Sequence, residues 1–284
     1  MSIVSDTPLT PDEAICTWSV TRVQEGASRL SGEDHLAVEE PLEIRVAWQQ
    51  NGSWQEEPLT ITMRTPGHDL ELAAGLLFSE GIIRTRAQLA ALTPGEQANV
   101  VVATLAADHQ WDAKRFQRHF YSTSSCGVCG KMAIESLSLL HEPTLRPNWP
   151  VLPRAVLSSL PSCLRDGQTV FGQTGGVHAA ALFTTAGDCL LLREDIGRHN
   201  AVDKLLGARL LQAQPHLNDA VLVVSGRISF ELVQKALAAN IAIMVAVGAA
   251  SSLAVTLAQK HGMTLAGFVR AGAFTLYTAP DRIV

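Results

Sequence analysis

The second half of the chain alternates short apolar segments with amphipathic ones, and this alternation limits the possible folds more than any other feature. The apolar runs at residues 220–225, 241–247 and 264–269 have the length of strands, whereas residues 229–239 and 251–261 repeat apolar side chains at helical spacing. Strands that are apolar throughout and joined by helices form parallel or mixed sheets covered on both faces. We therefore predict a three-layer α/β/α domain. Its other predicted elements are helices at 154–164 and 198–212 and a hairpin over 176–193.

The first half of the chain has the shorter, interrupted pattern of a small α+β domain. Residues 69–78 place leucines and alanines on one side of a helix, and Thr65-Pro66-Gly67-His68-Asp69 predicts a capped start for it. Short β-like segments flank this helix at residues 18–23, 35–38, 42–48, 59–63 and 99–105. We therefore divide the chain into an N-terminal domain over 14–120, a connecting segment that ends in a proline-rich linker over 121–152, and the α/β domain over 153–284.

Composition and charge argue against several classes of protein. The chain of 284 residues carries 22 basic and 27 acidic residues, for a formal net charge of −5, and only 5% of its residues are aromatic. A nucleic-acid binder would show a basic footprint or an aromatic platform for stacking, so we expect no nucleic-acid partner. The longest apolar run, Ile241–Val247, is too short to span a membrane, and the N-terminus lacks the pattern of a signal peptide. Five cysteines, an odd number, fit a reducing compartment, so we expect a soluble cytoplasmic protein without a membrane partner.

Cys126-Gly127-Val128-Cys129 is the one place in the sequence where two thiols lie within reach of each other. The glycines, and the serines before Cys126, predict a mobile loop. The apolar periodicity of residues 132–140 predicts a helix, whose positive N-terminal end would favour thiolate over thiol at Cys129. A cluster of cations upstream acts in the same direction; its members are Lys114, Arg115, Arg118 and His119. The sequence therefore predicts reactive, exposed cysteines at these two positions.

Four chemistries use two cysteines at this spacing, and three of them lack support elsewhere in the sequence. A zinc site needs two more ligands, and only His119 and His141 are near. A zinc deaminase needs a His or Cys two residues before a Glu, upstream of Pro-Cys-x-x-Cys, and this set is missing. A thioredoxin-like pair would directly follow a strand of a βαβ unit, whereas this one follows a basic stretch. Persulfide relay fits the thiolate-favouring, exposed and mobile setting.

The remaining cysteines have a different setting. An inert packing role for Cys126 and Cys129 is disfavoured, because their neighbours are not apolar enough to bury both. Cys16, Cys163 and Cys189 do lie in apolar patterns, so we predict that these three are structural. No metal site is predicted.

Small residues and arginines follow the predicted strands of the α/β domain. Ser225-Gly226-Arg227 leads into one helix, Val247–Ser252 with Gly248 leads into the next, and Phe268–Ala273 follows the third strand. Ligands of such sheets bind beyond the carboxyl ends of the strands, where helix N-termini offer N–H groups to anions. A phosphorylated ligand therefore fits these three strand exits. The alternative is that the glycines and serines only form the turns and caps that every βα unit needs.

The densest polar cluster lies between a predicted strand and a predicted helix. It comprises Arg193, Glu194, Asp195, Arg198, His199 and Asn200, with Asp203 and Lys204 after it. Such density indicates the lining of a site, and the alternative is a set of surface ion pairs with a capped helix. Outside this cluster, His178 follows Gly175-Gly176 and could face a pocket or form a bulge at a strand start. We keep His178 and His199 as secondary candidates.

These motifs together resemble the formate dehydrogenase accessory sulfurtransferase family, FdhD. The blocks that carry the resemblance run from about residue 35 to the C-terminus and are Glu39-Glu40-Pro41-Leu42, Thr65-Pro66-Gly67-His68-Asp69, Ser125-Cys126-Gly127-Val128-Cys129-Gly130, Thr174-Gly175-Gly176-Val177-His178-Ala179-Ala180, Arg193 to Lys204 and Ser225-Gly226-Arg227. The resemblance implies a sulfur carrier, an enzyme of the sulfurtransferase class with a cysteine persulfide intermediate. It would take sulfur from a cysteine desulfurase and pass it to the bis-molybdopterin guanine dinucleotide cofactor that formate dehydrogenase needs.

The resemblance also implies roles for individual residues. Cys126 matches the position that carries the persulfide, and Cys129 its auxiliary partner. The matching cofactor-binding segment consists of Phe268, Val269, Arg270, Ala271, Gly272 and Ala273. Ala273 stands where many relatives have a basic residue, which leaves Arg270 as the main candidate for a phosphate contact. The strand exits and the polar cluster add Ser225, Gly226, Arg227, Gly248 and His199 as candidate cofactor-binding residues, and guanine nucleotides would be partial mimics of the cofactor.

The resemblance finally implies an architecture and an assembly. The second domain of the family resembles the cytidine deaminase fold without its zinc ligands, and its members resemble homodimers. The main rival hypothesis is a chaperone that binds the cofactor or the apo-enzyme and uses its cysteines for no chemistry. A second rival is a scaffold stabilised by zinc.

Overall fold

The computed structural model describes residues 13–25, 29–109, 111, 142–214 and 216–284. In chain order its strands are β1 (Ile15–Arg22), β2 (Leu30–Ala37), β3 (Glu40–Gln50), β4 (Ser53–Arg64), β5 (Leu89–Pro94), β6 (Val100–Leu105), β7 (His178–Phe183), β8 (Cys189–Asp195), β9 (Val221–Val224), β10 (Ile243–Ala246), β11 (Thr264–Arg270) and β12 (Ala273–Thr278). Its α-helices are α1 (Asp69–Ser79), α2 (Arg154–Gly167), α3 (Thr169–Thr174), α4 (Arg198–Leu211), α5 (Phe230–Ala238) and α6 (Ser252–Lys260). The predicted loop with Cys126 and Cys129, and the boundary near residue 120, lie outside these residues.

The N-terminal domain is built on a four-stranded sheet with the strand order β4-β3-β6-β5. β3 pairs antiparallel with β4 and parallel with β6, and β5 pairs antiparallel with β6. Alternate side chains of β3, namely Leu42, Ile44 and Val46, are buried in one cluster with Leu70 and Leu77 of α1. The alternation that the sequence shows thus gives one face packed against a helix, and the predicted α+β domain is confirmed.

The C-terminal domain is built on a mixed six-stranded sheet with the order β12-β11-β10-β9-β7-β8. β9, β10 and β11 are parallel, while β7 pairs antiparallel with both β9 and β8, and β12 antiparallel with β11. Val221 and Val223 of β9 pack with α2 on one face, and Leu222 and Val224 pack with α4, α5 and α6 on the other. Because successive strand residues point to opposite faces, this pattern confirms the predicted three-layer α/β/α arrangement.

The two domains share one continuous core through a close crossing of α1 and α4. A Cβ atom placed on Gly75 of α1 would lie 1.8 Å from the carbonyl oxygen of Asp203 in α4. A Cβ atom placed on Gly207 of α4 would lie 1.8 Å from the carbonyl oxygen of Glu71 in α1. Only glycine permits such an approach of two backbones. The N-terminal domain is therefore held firmly against the helices that cover the second sheet.

Two ion pairs lie at this joint, of which Arg193–Glu71 connects the two domains and Lys235–Asp203 lies beside it within the second domain. Arg193 Nε and Nη2 donate to the two carboxylate oxygens of Glu71 at 2.6 and 2.8 Å. Burial alone would raise the pKa of Glu71, but hydrogen bonds from Arg193 and His68 outweigh it and lower this pKa to about 2. Lys235 Nζ lies 2.9 Å from Asp203 Oδ2, and this pairing keeps the pKa of the lysine raised although burial opposes it.

Three details differ from the sequence-based expectations. The segment after β11 turns back into β12, so the third strand exit is a hairpin turn and leads into no helix. Residues 15–22 and 30–37 form a separate two-stranded ribbon, longer than the β-like segments predicted there. The linker at 142–153 is fixed to the end of the chain, where Leu152 N donates to the carbonyl oxygen of Arg282 at 2.8 Å. Across the ranges that the structure describes, no helix is both long and apolar enough to cross a membrane.

Candidate functional site

The carboxyl ends of the parallel strands assemble most of the predicted binding residues at one edge of the six-stranded sheet. β9, β10 and β11 run in the same direction, so the segments after them lie side by side. β7 runs the opposite way and therefore begins at this edge, and its first residue, His178, pairs with Asp195 at the end of β8. We name the group formed by Ser225-Gly226-Arg227, Gly248, Phe268 and His178 the carboxyl-edge site. Ligands of α/β sheets bind at this edge.

The floor of the carboxyl-edge site is made of backbone from adjacent strand exits. Gly248 N donates to the carbonyl oxygen of Gly226 at 3.1 Å, and Phe268 N donates to that of Gly248 at 3.0 Å. A Cβ atom on Gly248 would lie 2.9 Å from the oxygen of Gly226, and one on Gly267 would lie 2.9 Å from the oxygen of Gly248. The glycines thus let three strand exits lie directly against one another, which brings their polar backbone groups together.

Ser225 and His178 form the part of the site next to β7. Ala179 N donates to Ser225 Oγ at 2.9 Å, which fixes the hydroxyl, and His178 Nδ1 lies 3.4 Å from the same oxygen. Burial lowers the pKa of His178, and the charges of Arg198 and His199 lower it further. His178 therefore faces the site, which is the first of the two alternatives that the sequence left open, a position in a pocket. Because its pKa is lowered, its imidazole is neutral near pH 7.

His199 connects the start of α4 to the start of α5. Its Nε2 atom lies 2.8 Å from Glu231 Oε2 and 3.2 Å from Ser229 Oγ. Ser229 is the N-cap of α5 and accepts a hydrogen bond from Leu232 N at 3.4 Å. The hydrogen bond with His199 lowers the pKa of Glu231 although burial opposes it. An ionised carboxylate therefore holds the imidazole beside the carboxyl-edge site.

Cationic and apolar side chains surround the floor of the site. The side chains of Arg227 and Arg270 are exposed, and among the described residues neither forms a salt bridge. Phe268 is 54% exposed and has a φ angle of 51°, in the left-handed region that bulky residues rarely adopt. Such strain is concentrated at functional sites. The arrangement offers unpaired positive charge and an aromatic face to a ligand that carries phosphate and a ring system.

The polar cluster at residues 193–204 contains residues that stabilise the fold and residues that lie near the carboxyl-edge site. Asp195 is fully buried, and its carboxylate accepts from Lys204 Nζ at 2.7 Å, Thr65 N at 3.2 Å and Gly197 N at 2.8 Å. Glu194 accepts from two backbone N–H groups at the start of α3, both at 2.9 Å. Glu194 thus caps a helix and Asp195 forms an ion pair, as the alternative held, but this pair is buried and does not lie at the surface. Arg198 reaches the carboxyl-edge site, where its Cδ atom lies 3.9 Å from the position of a Cβ atom on Gly226, and His199 contacts Ser229 beside it.

Two of the cysteines assigned to the core lie at the surface. Cys163 on α2 and Cys189 on β8 are exposed, and Cys16 is partly exposed, so the prediction that these three are packing residues is wrong for the first two. β8 is the edge strand of its sheet, which leaves Cys189 open on one side although its neighbours are apolar. Partial burial still raises the pKa of the Cys189 thiol, and this favours the less reactive protonated form.

The described chain resumes after the Cys126–Cys129 segment at the edge opposite to the carboxyl-edge site. Thr144 N donates to Asn240 Oδ1 at 2.8 Å, and Glu142 Oε2 lies 3.5 Å from His261 Nδ1. Asn240 and His261 come directly before β10 and β11, so they mark the amino ends of those strands. The first described residues after the cysteine pair, Glu142 and Thr144, therefore lie at the amino edge of the sheet.

Comparison with known proteins assigns the chain to a family. The model of the FdhD/NarQ family matches residues 37–284. The chain belongs to the FdhD/NarQ family. A protein from Mycolicibacterium paratuberculosis named sulfur carrier protein FdhD is 46% identical over 87% of this chain and 91% of its own length. A protein of the same name from Streptomyces avermitilis is 45% identical over 93% of this chain and 94% of its own length.

A solved structure supports the fold of this FdhD/NarQ member. It is a crystal structure from Desulfotalea psychrophila whose description names a formate dehydrogenase accessory protein. It covers 95% of this chain and 100% of its own, with a TM-score of 0.73 and 24% sequence identity. The family resemblance found in the sequence motifs is thus confirmed by the family model and the relatives, and the mixed α/β fold by this structure.

Proposed function

We propose that this protein is a cytoplasmic sulfurtransferase that takes persulfide sulfur from a cysteine desulfurase and delivers it to the bis-molybdopterin guanine dinucleotide cofactor of formate dehydrogenase. The observation that carries the proposal is the similarity to proteins named sulfur carrier protein FdhD, at 46% and 45% identity over most of the chain. The carboxyl-edge site supports the proposal separately, because its exposed arginines and its exposed aromatic ring suit the phosphate and the base of a guanine nucleotide.

Loading of the carrier is a thiol exchange at Cys126. The Cys126 thiolate attacks the terminal sulfur of the donor persulfide, the sulfur–sulfur bond of the donor breaks, and the donor cysteine leaves as a thiolate. The product is a persulfide on Cys126. This step needs no outside oxidant or reductant, because one thiolate and one persulfide are exchanged for another such pair.

Delivery of the sulfur requires two electrons, because the sulfur leaves as sulfide. Cys129 lies three residues after Cys126 in the sequence, so its thiolate can supply these two electrons. Its thiolate attacks the inner sulfur of the Cys126 persulfide, a disulfide forms between the two cysteines, and the terminal sulfur leaves as sulfide toward the metal of the acceptor. A dithiol reductant of the thioredoxin class then returns both cysteines to the thiol state.

The carboxyl-edge site would hold the guanine nucleotide part of the acceptor. Arg227 and Arg270 have no salt-bridge partner in the part of the chain that the structure describes, so they can pair with phosphate oxygens. Phe268 offers an exposed ring on which a base can stack. Because Gly248 lacks a Cβ atom, which would lie 2.9 Å from the carbonyl oxygen of Gly226, the two strand exits form one continuous floor beneath such a ligand.

The tether is long enough for one protomer to connect the two edges of the sheet. Cys129 precedes Glu142 by thirteen residues in the sequence. With the predicted helix over 132–140 at about 1.5 Å per residue and the other residues extended at roughly 3.5 Å each, this length spans at most about 27 Å. The strands of the central sheet are four to seven residues long, which corresponds to about 13–23 Å. Attachment at the amino edge is therefore compatible with delivery to the carboxyl edge.

A genetic complementation assay tests the proposal against the chaperone alternative. The alternative would need only the described residues of the carboxyl-edge site to bind the acceptor, with no chemistry at either cysteine of the pair. If the protein is a sulfur carrier, a strain that lacks it should regain formate dehydrogenase activity when it receives the wild type or the control variant Cys163→Ser. The variant Cys126→Ser should not restore this activity. Full activity with Cys126→Ser would support the chaperone and reject sulfur transfer.

A further inference from the structure

A β-bulge in β8 turns the side chain of Cys189 toward helix α2. In the pairing of β8 with β7, Cys189 lies opposite Phe183, whereas Leu191 lies opposite Leu182. Leu190 is therefore an extra residue without a partner across the ladder. Residues directly opposite each other on paired strands have their side chains on the same face. Phe183 is buried in the cluster that α2 covers, so Cys189 is on the α2 face as well.

One stripe of α2 lies along the hairpin of β7 and β8. Val156, Cys163 and Gly167 follow one another at spacings of seven and four residues, so they share one side of the helix. At one end of this stripe, a Cβ atom on Gly187 would lie 3.2 Å from Val156 Cγ1. At the other end, a Cβ atom on Gly167 would lie 2.8 Å from Leu192 Cδ1. Cys163 therefore lies between two points at which α2 contacts the hairpin.

The thiols of Cys163 and Cys189 are consequently neighbours at the surface. Cys189 follows Gly187 and precedes Leu192, so it lies between the same two contacts on the hairpin. From the first contact, Cys163 is about 10 Å along the helix and Cys189 about 7 Å along the strand. Burial raises the pKa of the Cys189 thiol, and negative charge at Cys163 raises it further, as expected for two sulfur atoms close together. Both cysteines are exposed and neither is in a disulfide.

We propose that Cys163 and Cys189 form a reversible dithiol–disulfide pair that reacts with low-molecular-weight disulfides. The Cys163 thiolate attacks one sulfur atom of the small disulfide, whose sulfur–sulfur bond breaks and releases one small thiolate. The Cys189 thiolate then attacks the sulfur of Cys163, the mixed disulfide breaks, and the second small thiolate leaves. The two cysteines lose two electrons, which reduce the small disulfide to two thiols, and the protons of the cysteine thiols pass to the leaving thiolates.

The backbone near both cysteines has the freedom that bond formation requires. A disulfide holds two Cα atoms within about 7 Å of each other. Pro161 lies inside α2 and has no N–H group, so the helix lacks one hydrogen bond two residues before Cys163. Cys189 begins an edge strand beside the bulge, where only β7 pairs with it. Glycine at both contacts also lets α2 lie closer to the hairpin than a larger residue would.

The bond would tie the start of the edge strand β8 to the helix that covers it. The loop that it closes runs from residue 163 to residue 189, and closing such a loop restricts the unfolded chain. The oxidised protein should therefore be more stable than the reduced one. The inference does not depend on sulfur transfer, because neither Cys126 nor Cys129 takes part in it.

Oxidation of a full-length variant that retains only this pair tests the inference. The background carries Cys16→Ser, Cys126→Ser and Cys129→Ser, which leaves Cys163 and Cys189 as its two cysteines. After incubation with oxidised glutathione we expect both free thiols to disappear and the mass to fall by about 2 Da, the two hydrogen atoms lost in forming a disulfide. A digest without reductant should contain one peptide pair joined through the two cysteines, and dithiothreitol should restore both thiols.

Two variants on the same background are the matched controls. With Cys189→Ser or Cys163→Ser, the remaining cysteine should stop at the mixed disulfide, with a gain of about 305 Da for one glutathione. Oxidation of the intact pair should raise the melting temperature by about 5 °C, and oxidation of either control should not. Lasting attachment of one glutathione to each cysteine of the same molecule, a disulfide that joins two chains, or two thiols that stay free would each overturn the inference.

Discussion

Replacement of Gly207 by alanine tests whether the crossing of α1 and α4 holds the two domains together. A Cβ atom at this position would lie 1.8 Å from the carbonyl oxygen of Glu71 and 2.6 Å from the backbone nitrogen of Gly75. Both neighbours are backbone atoms, so neither can move aside as a flexible side chain would. α1 and α4 would have to separate by more than about 1 Å to accept the new atom.

Two opposing effects decide the magnitude. Alanine is favoured over glycine inside a helix by about 1 kcal/mol. Overpacking a tight interface costs roughly 1–3 kcal/mol, and separation of the helices also stretches the Arg193–Glu71 ion pair and the hydrogen bond from Ser79 Oγ to Asp203, both of which join the domains. We therefore expect a net loss of about 2 kcal/mol in the free energy of unfolding, or a melting temperature lower by about 5 °C for a protein of this size.

Thermal and urea unfolding of Gly207→Ala beside a matched control provide the assay. Gly172 lies in α3 with no atom within 4 Å of a placed Cβ, so Gly172→Ala should be neutral or raise the free energy of unfolding by up to about 1 kcal/mol. If Gly207→Ala were as stable as Gly172→Ala, the argument that close backbone contact joins the domains would be refuted.

Three further predictions concern charge, ligand binding and thiol exposure. Folding lowers the pKa of Glu71 from 4.5 to about 2, so its carboxylate stabilises the fold above pH 4.5 and this contribution is lost as the pH falls toward 2. Urea unfolding should show that the wild type is about 3 kcal/mol more stable than Glu71→Gln at pH 7. This difference should vanish near pH 2. Arg270→Ala should weaken binding of guanosine diphosphate about tenfold in calorimetry, whereas Arg154→Ala on α2 should not, and equal affinities would remove Arg270 from the site. Cys163 and Cys189 should both react with a maleimide in the native protein, and protection of both until unfolding would contradict their placement at the surface.

Much of the α/β domain could be predicted because its signals are local. The runs 220–225, 241–247 and 264–269 are apolar throughout, and the residues between them have helical periodicity. The order of the strands and helices and the three layers of the domain follow directly from this pattern. The clustering of the predicted binding residues followed too, since parallel strands bring their carboxyl ends to one edge. β12 was missed, because a turn at Ala271-Gly272 resembles the entry to a helix until its pairing with β11 is known.

Features that depend on distant partners could not be predicted. The start of α1 lacks the expected side-chain cap, since His68 adopts a φ angle of 59° and Arg64 instead donates twice to Asp69 at 2.9 Å. Asp195 stood out as a polar residue, but its partner Thr65 is 130 residues away in the sequence. Cys189 sits among apolar residues, and only the strand order shows that β8 is an edge. In each case the local pattern was real, and tertiary contacts decided its meaning.

Mass spectrometry of the protein after incubation with a cysteine desulfurase and cysteine tests the central claim most directly. The account predicts a gain of about 32 Da, one sulfur atom, on the peptide that contains Cys126, and its removal by a thiol reductant. Cys126→Ala should lack the gain, whereas Cys163→Ala should keep it. A wild type without the adduct, or Cys126→Ala that retains it on the same peptide, would contradict the account.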